Sequence, residues 1–184
     1  MQHRQKNKRY LTGSTLDQYC QFFRIDKNIL RDKTILEVGV GLGIATQELG
    51  AMTVKLDVLD ISRTAISNVI HSIRCGFLSD TILNDNEYDY AFSYFVSQHM
   101  DDDELSIQLF EVIRSLKSSG TFYLQWVDAE GDNGQDFEAQ SKGGILRSVE
   151  DMHVLVGKAG GELEIVHIVE LPTVRSYGGK IRRV

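Results

Sequence analysis

Three glycines at alternate positions, Gly39, Gly41 and Gly43, follow directly on the apolar run 34–38. Glycine reaches positive φ without a Cβ penalty, so such a turn lets the backbone touch a ligand at the carboxyl edge of a sheet. The chemistry this suggests is the binding of a nucleoside-like molecule; the plain alternative is a tight strand-to-helix turn. A dinucleotide-binding turn would carry its third glycine at position 44, which is Ile44, and a phosphate loop would end in Gly-Lys-Ser or Gly-Lys-Thr, which is absent. Both phosphate-centred readings are weakened. Asp60 lies 21 positions after Gly39, where a carboxylate can accept both hydroxyls of a ribose. Asp57, 18 positions after Gly39, competes for that role. Asp60 is preferred because Ile61-Ser62 runs on into a helix start, which puts Asp60 at the mouth of its strand and Asp57 within it. A capping or loop acid is the simpler reading of Asp60. Asp80 closes a further apolar stretch, where it can accept a hydrogen bond from an exocyclic amine, and Ile61 offers an apolar face for a ring.

These residues need a scaffold, and periodicity supplies one. A helix over 15–23 places Leu16, Tyr19, Cys20 and Phe23 on one side, with a short helical piece at 27–30. The run 34–38 reads as a buried strand leading through the glycines into a helix to about residue 49. A second strand, 54–59, ends at Asp60; Ser62 then caps a helix carrying Ala65, Ile66, Val69, Ile70 and Ile73 inward. Strands follow at 75–78 and 88–96, a helix at 103–116 and a strand at 121–127. This alternation predicts right-handed crossovers and a mostly parallel sheet with helices on both faces. The polar stretch 128–144 breaks the rhythm and reads as a mobile acidic lid or binding loop. A helix at 149–159 and strands at 163–171 and 177–184 complete the chain, the last two joined at Pro172-Thr173 as an antiparallel hairpin.

With 184 residues and 42% hydrophobic side chains, the chain suits one domain over residues 1–184. Two distant cysteines, Cys20 and Cys75, exclude a disulfide scaffold, a cysteine-rich zinc module and an iron–sulfur cluster. No apolar stretch is long enough for a membrane span or signal-peptide core, so a cytoplasmic protein is expected. Eight of the 20 basic residues lie in residues 1–10 and 175–184, which hold no acid, leaving 12 against 26 acidic residues between them. That balance repels nucleic acid over most of the surface. The basic ends read as a solvated arm over 1–12 and a polar closing strand, or else as a local anion patch.

Taken together, Glu37-Val38-Gly39-Val40-Gly41-Leu42-Gly43, Val58-Leu59-Asp60-Ile61-Ser62, Phe77-Leu78-Ser79-Asp80 and the stretch from Tyr88 through Ser93, Tyr94 and His99 resemble the ordered motifs of class I S-adenosylmethionine-dependent methyltransferases. The resemblance covers about 34–127 well and the remainder loosely. It implies an α/β three-layer Rossmann-like sandwich whose mostly parallel seven-stranded sheet has the order 3-2-1-4-5-7-6, with strand 7 antiparallel. Ser118-Ser119-Gly120, where many members carry Pro-Gly-Gly, and Val40 in place of a cysteine depart from the pattern without touching the cofactor site.

By the same resemblance the cofactor is S-adenosyl-L-methionine. Gly39, Gly41 and Gly43 would wrap its methionine and ribose portion, with Glu37 ordering the loop and reaching the amino group through water. Asp60 would hold the ribose hydroxyls, Ile61 would pack on adenine and Asp80 would bind its amine, while Ser93 and Tyr94 would lie near the methionine end. A cofactor with a sulfonium and no phosphate suits neutral backbone and carboxylates. His99 is the candidate general base for a nucleophile that arrives protonated, against a packed or capping histidine. The run Asp101-Asp102-Asp103-Glu104 is read as negative charge at a helix N-terminus, and no metal is expected. The chain lacks the Asp/Asn-Pro-Pro-Tyr, Pro-Cys and double-glutamate motifs of DNA and protein-arginine enzymes, which favours a small-molecule acceptor. Asp128, Glu130, Asp132, Asp136 and Glu138 hint at a cationic substrate or are solvated loop charge. Two rivals stand: a catalytically inactive methyltransferase-like interaction subunit and a nicotinamide-dependent oxidoreductase.

Overall fold

The computed structural model describes residues 14–67, 69, 83–128, 144–171 and 174–184. Apolar β-branched runs form the middle of the sheet because their side chains can be buried on both faces. In β1 (Thr34–Val38), Ile35 enters one hydrophobic cluster and Leu36 and Val38 the other. β1 pairs in parallel with β2 (Lys55–Leu59) and β3 (Tyr88–Ser93), and β3 with β4 (Leu116–Asp128). The hairpin of β5 (Gly161–Glu170) and β6 (Arg175–Arg183) completes the described sheet, with β6 antiparallel to both β4 and β5.

The described order, β2-β1-β3-β4-β6-β5, is that of a Rossmann-like sheet. The sequence reading has seven strands; its third, 75–78, lies outside the described residues, and the other six keep the expected neighbours. Two boundaries differ for identifiable reasons. β3 stops at Ser93, the last residue paired with β1, because the chain turns at Phe95 with φ 60°. β4 begins at Leu116 instead of 121, since Tyr88 pairs with Leu116 and Tyr90 with Thr121, which makes 117–120 a bulge within the strand. Gly120 is suited to that bulge: a Cβ there would lie 2.8 Å from the Tyr88 carbonyl oxygen.

Helices cover both faces. α1 (Leu16–Phe23) and α2 (Ile44–Met52) contribute Leu16, Phe23, Ala45 and Leu49 to the cluster that holds Ile35 and Phe92. On the other face α4 (Asp102–Ser115) and α5 (Val149–Lys158) bury Leu105, Leu109, Val112, Met152 and Val156 against Leu36, Leu124 and Trp126. The short α3 (Arg63–Ser67) follows β2, with the Ser62 hydroxyl accepting from Ala65 N–H at 3.2 Å. The acidic run at 101–104 opens α4 as a reciprocal capping box: Asp101 accepts from Glu104 N–H at 2.8 Å and Glu104 from Asp101 N–H at 3.0 Å.

The hairpin is packed tightly against the rest. A Cβ on Gly179 would stand 2.7 Å from both Leu163 Cδ1 and Trp126 Cζ3. Gly179→Ala is therefore expected to cost about 1–3 kcal/mol by overpacking, read as a lower urea midpoint with an unchanged denaturant slope.

Candidate functional site

The carboxyl ends of β1, β2 and β3 open at one edge of the sheet, and the first turn there is built by glycine. Gly39, Gly41 and Gly43 have φ of 84°, 56° and 75°. The outer two are packing positions: a Cβ on Gly39 would lie 2.1 Å from Val96 Cγ2, and one on Gly43 2.4 Å from Val69 Cγ1. Of the three, only Gly41 has no atom of the described residues within 4 Å of where its Cβ would be. The backbone is thus exposed at the centre of the turn and clamped at its ends.

Asp60 ties this turn to the next one. Its Oδ2 accepts from Val40 N–H at 2.9 Å and its Oδ1 from Ser62 N–H at 2.7 Å, which fixes the carboxylate at the mouth of β2. Asp57 has a different environment. Paired opposite Leu36, it is fully buried, accepts from the Tyr88 hydroxyl at 2.6 Å and lies 3.1 Å from Lys55 Nζ.

Glu37, the penultimate residue of β1 before the glycines, is 1% exposed. Its Oε1 accepts from the Tyr19 hydroxyl of α1 at 3.0 Å, while Oε2 is buried with no hydrogen-bond partner in the described structure. Burial pushes its pKa up to about 7 against the opposing pull of the Thr46 and Tyr19 hydroxyls, and the Asp60 charge adds to the rise. The Tyr19 phenol is driven well above its ordinary range by burial and by the facing Glu37.

The remaining expected residues divide. Ile61 is 68% exposed and Phe95 50%, two apolar surfaces at this edge. Tyr94 is half-buried with its ring centroid 4.9 Å from Tyr19 and 4.5 Å from Phe95. Ser93 is fully buried and its hydroxyl accepts from Gln108 Nε2 of α4 at 3.3 Å, so it faces the helix layer. His99 ends a 3-10 turn, Ser97–His99, with its side chain exposed. Asp80 lies outside the described residues, as do the whole expected arm, 1–12, and 129–143 of the acidic loop.

Sequence reasoning overlooked the groups that hold the 94–101 loop. Gln125 Oε1 accepts from Phe95 N–H at 2.9 Å while its Nε2 donates to Ser176 Oγ at 3.0 Å. Buried Arg147 donates to the carbonyls of Ser97 at 3.0 Å and Met100 at 2.6 Å and to Asp102 at 2.8 Å. A glutamine in an otherwise apolar strand was a visible signal for the first; no local pattern marked Arg147. Tyr19 was placed on the inner face of α1, but nothing in its spacing paired it with Glu37.

A family model described as a methyltransferase domain matches residues 36–124. No curated protein matches the sequence. Among solved structures, magnesium protoporphyrin IX methyltransferase from Synechocystis PCC 6803 with bound SAH is similar at TM-score 0.70 and 13% identity, covering 92% of this chain and 82% of that one. A possible histamine N-methyltransferase from Thermotoga maritima gives TM-score 0.64 and 22% identity, covering 86% and 85%. An S-adenosylmethionine dependent methyltransferase from Mesorhizobium loti gives 0.63 and 13%, covering 82% and 92%. At these identities the structures speak for the fold, and the family model for the motifs within it. The chain thus resembles S-adenosylmethionine-dependent methyltransferases, in the motifs of residues 36–124 and in its fold.

The buried Glu37 carboxyl has a thermodynamic signature. With a folded-state pKa of about 7 against an ordinary 4.5, the folded protein holds the proton more tightly than the unfolded chain. Its contribution to stability is complete below pH 4.5 and is lost as pH rises through 7. Relative to Glu37→Gln, wild type should lose on the order of 3 kcal/mol across that window. Urea unfolding of both proteins at pH 5 and pH 8 measures the difference; parallel profiles would contradict it.

Proposed function

We propose that the chain transfers a methyl group from S-adenosylmethionine to a small-molecule nucleophile, oxygen or nitrogen, at the edge formed by the glycine turn and the 94–101 loop. The observation that carries this reading is the buried oxygen of Glu37, without a hydrogen-bond partner among the described residues, beside a turn whose central glycine meets none of them. Residues 37–54 contain no lysine or arginine. A phosphate ligand would meet a carboxylate there without a countercharge; a ligand carrying a sulfonium and an ammonium meets a complementary one.

When bound, S-adenosylmethionine supplies an electrophilic methyl group on sulfur. Asp60, already oriented by two backbone amides, would accept from the ribose hydroxyls. Ile61 would cover the adenine ring, Asp80 would accept from its amine, and Gly39, Gly41, Gly43 and Glu37 would hold the methionine portion with Tyr94 and Ser93 at its far end. Ser93 would act there through the backbone or after a side-chain change, because its hydroxyl faces α4. In-line displacement rewards alignment of the nucleophile and exclusion of water, and the Arg147 and Gln125 contacts give the 94–101 loop the rigidity for it. His99 is the loop's only imidazole and would accept the proton of a hydroxyl or ammonium acceptor. The Synechocystis and Thermotoga relatives are named for small acceptors, which supports that class of substrate.

Calorimetric titration with S-adenosylhomocysteine (SAH) tests the cofactor site. Wild type should bind with micromolar affinity, at roughly −8 kcal/mol, and Asp60→Asn should weaken binding at least about tenfold through its altered ribose contacts. Failure of wild type to bind would overturn the proposed function.

A further inference from the structure

The N-terminal helix reaches the site from a part of the chain that the family model does not match. A reciprocal cap between Thr15 and Gln18 starts α1, and Arg24 in the left-handed region ends it. Its apolar side buries Leu16, Tyr19, Cys20, Phe22 and Phe23 in the cluster under β1 and β3. The residue just before it is fastened to the start of α2, where Ala45 N–H donates to the Ser14 carbonyl at 3.1 Å. The helix is therefore anchored both to the sheet and to the element that follows the glycine turn.

Within this arrangement Tyr19 has little freedom. It is 4% exposed, its ring centroid lying 6.0 Å from Phe92 and 4.9 Å from Tyr94. Its hydroxyl donates to Glu37 Oε1 at 3.0 Å across 18 positions of sequence, in a region where neither group can turn to water. A carboxylate held by one oxygen has its other oxygen directed by the same contact. That second oxygen is buried and makes no geometric hydrogen bond among the described residues.

We propose that Tyr19 is a positioning residue of the cofactor site, its hydroxyl orienting Glu37 so that the free carboxylate oxygen is presented to the cationic amino-acid end of the cofactor. This rests on the function proposed above and adds α1 to the site. The contact selects for one end of the ligand: it serves the ammonium and contributes nothing to adenine or ribose. A merely structural tyrosine would affect the whole ligand alike.

The experiment compares SAH with 5′-methylthioadenosine, which keeps the adenosine and thioether and lacks the amino-acid end. Both are titrated calorimetrically into wild type, Tyr19→Phe, Glu37→Gln and the double variant, with melting temperatures recorded for each. Tyr19→Phe should weaken SAH about tenfold, the scale of one hydrogen bond to a charged group, and leave methylthioadenosine within about twofold. In the Glu37→Gln background the same change should have no further effect on SAH. Equal loss for both ligands, undiminished SAH affinity in Tyr19→Phe, or a persisting loss in the double variant would overturn the role of Tyr19 while leaving the cofactor site standing. Where methylthioadenosine is too weak to titrate, the double-variant comparison decides alone. Failure of wild type to bind either ligand would overturn the underlying function as well.

Discussion

A carboxyl group buried at the carboxyl end of β1 is the constraint around which the site is arranged. Burying a charge without a full set of partners is costly, and a chain keeps such a group only where the surroundings stabilise one orientation. Around Glu37 those surroundings come from three separate elements: the Tyr19 hydroxyl from α1, the Thr46 hydroxyl from α2 and the Asp60 carboxylate at the mouth of β2. Burial raises its pKa to about 7, the Thr46 and Tyr19 hydroxyls oppose that rise by favouring the charged form, and the Asp60 charge adds to it. The glycine turn, α1 and the second βα turn are positioned relative to one another by this group and by the Asp60 bonds to Val40 and Ser62.

The two faces of the sheet contribute differently. The face under α4 and α5 is packed with aliphatic side chains and with Trp126 stacked on Tyr177 at 5.2 Å. The face under α1 and α2 is rich in aromatic residues, Phe23, Phe92, Tyr94 and Tyr123 among them, and it carries Glu37. Aromatic rings bury area without filling space as adaptably as aliphatic chains, and their polar tips give defined donors. The end that carries Glu37 thus grows out of the aromatic layer, and the aliphatic layer provides the rigid backing.

How much could be read in advance follows from the range of the forces involved. β1, the hairpin, the capping of α4 and the place of Asp60 depend on neighbours a few residues away, and periodicity and capping residues revealed them. The beginning of β4 was misplaced because its first residues pair only through a bulge opposite Tyr88, a tertiary circumstance. Ser93 was assigned to the strand's mouth correctly along the chain, yet alternation turns its hydroxyl toward Gln108. Arg147 and Tyr19 act over 50 and 18 positions, on a backbone carbonyl and on a side chain, and no local pattern encodes such partners.

On the function proposed above, the glycine turn, Glu37 and the Asp60 turn form one ligand site at the edge of the sheet. Amide hydrogen exchange read by mass spectrometry, with and without SAH, tests it most directly. Slowed exchange on SAH addition is expected at residues 37–43, 60–62 and 94–99, with β5, β6 and α5 unchanged. Protection confined to other segments, with 37–43 and 60–62 unaltered, would contradict it.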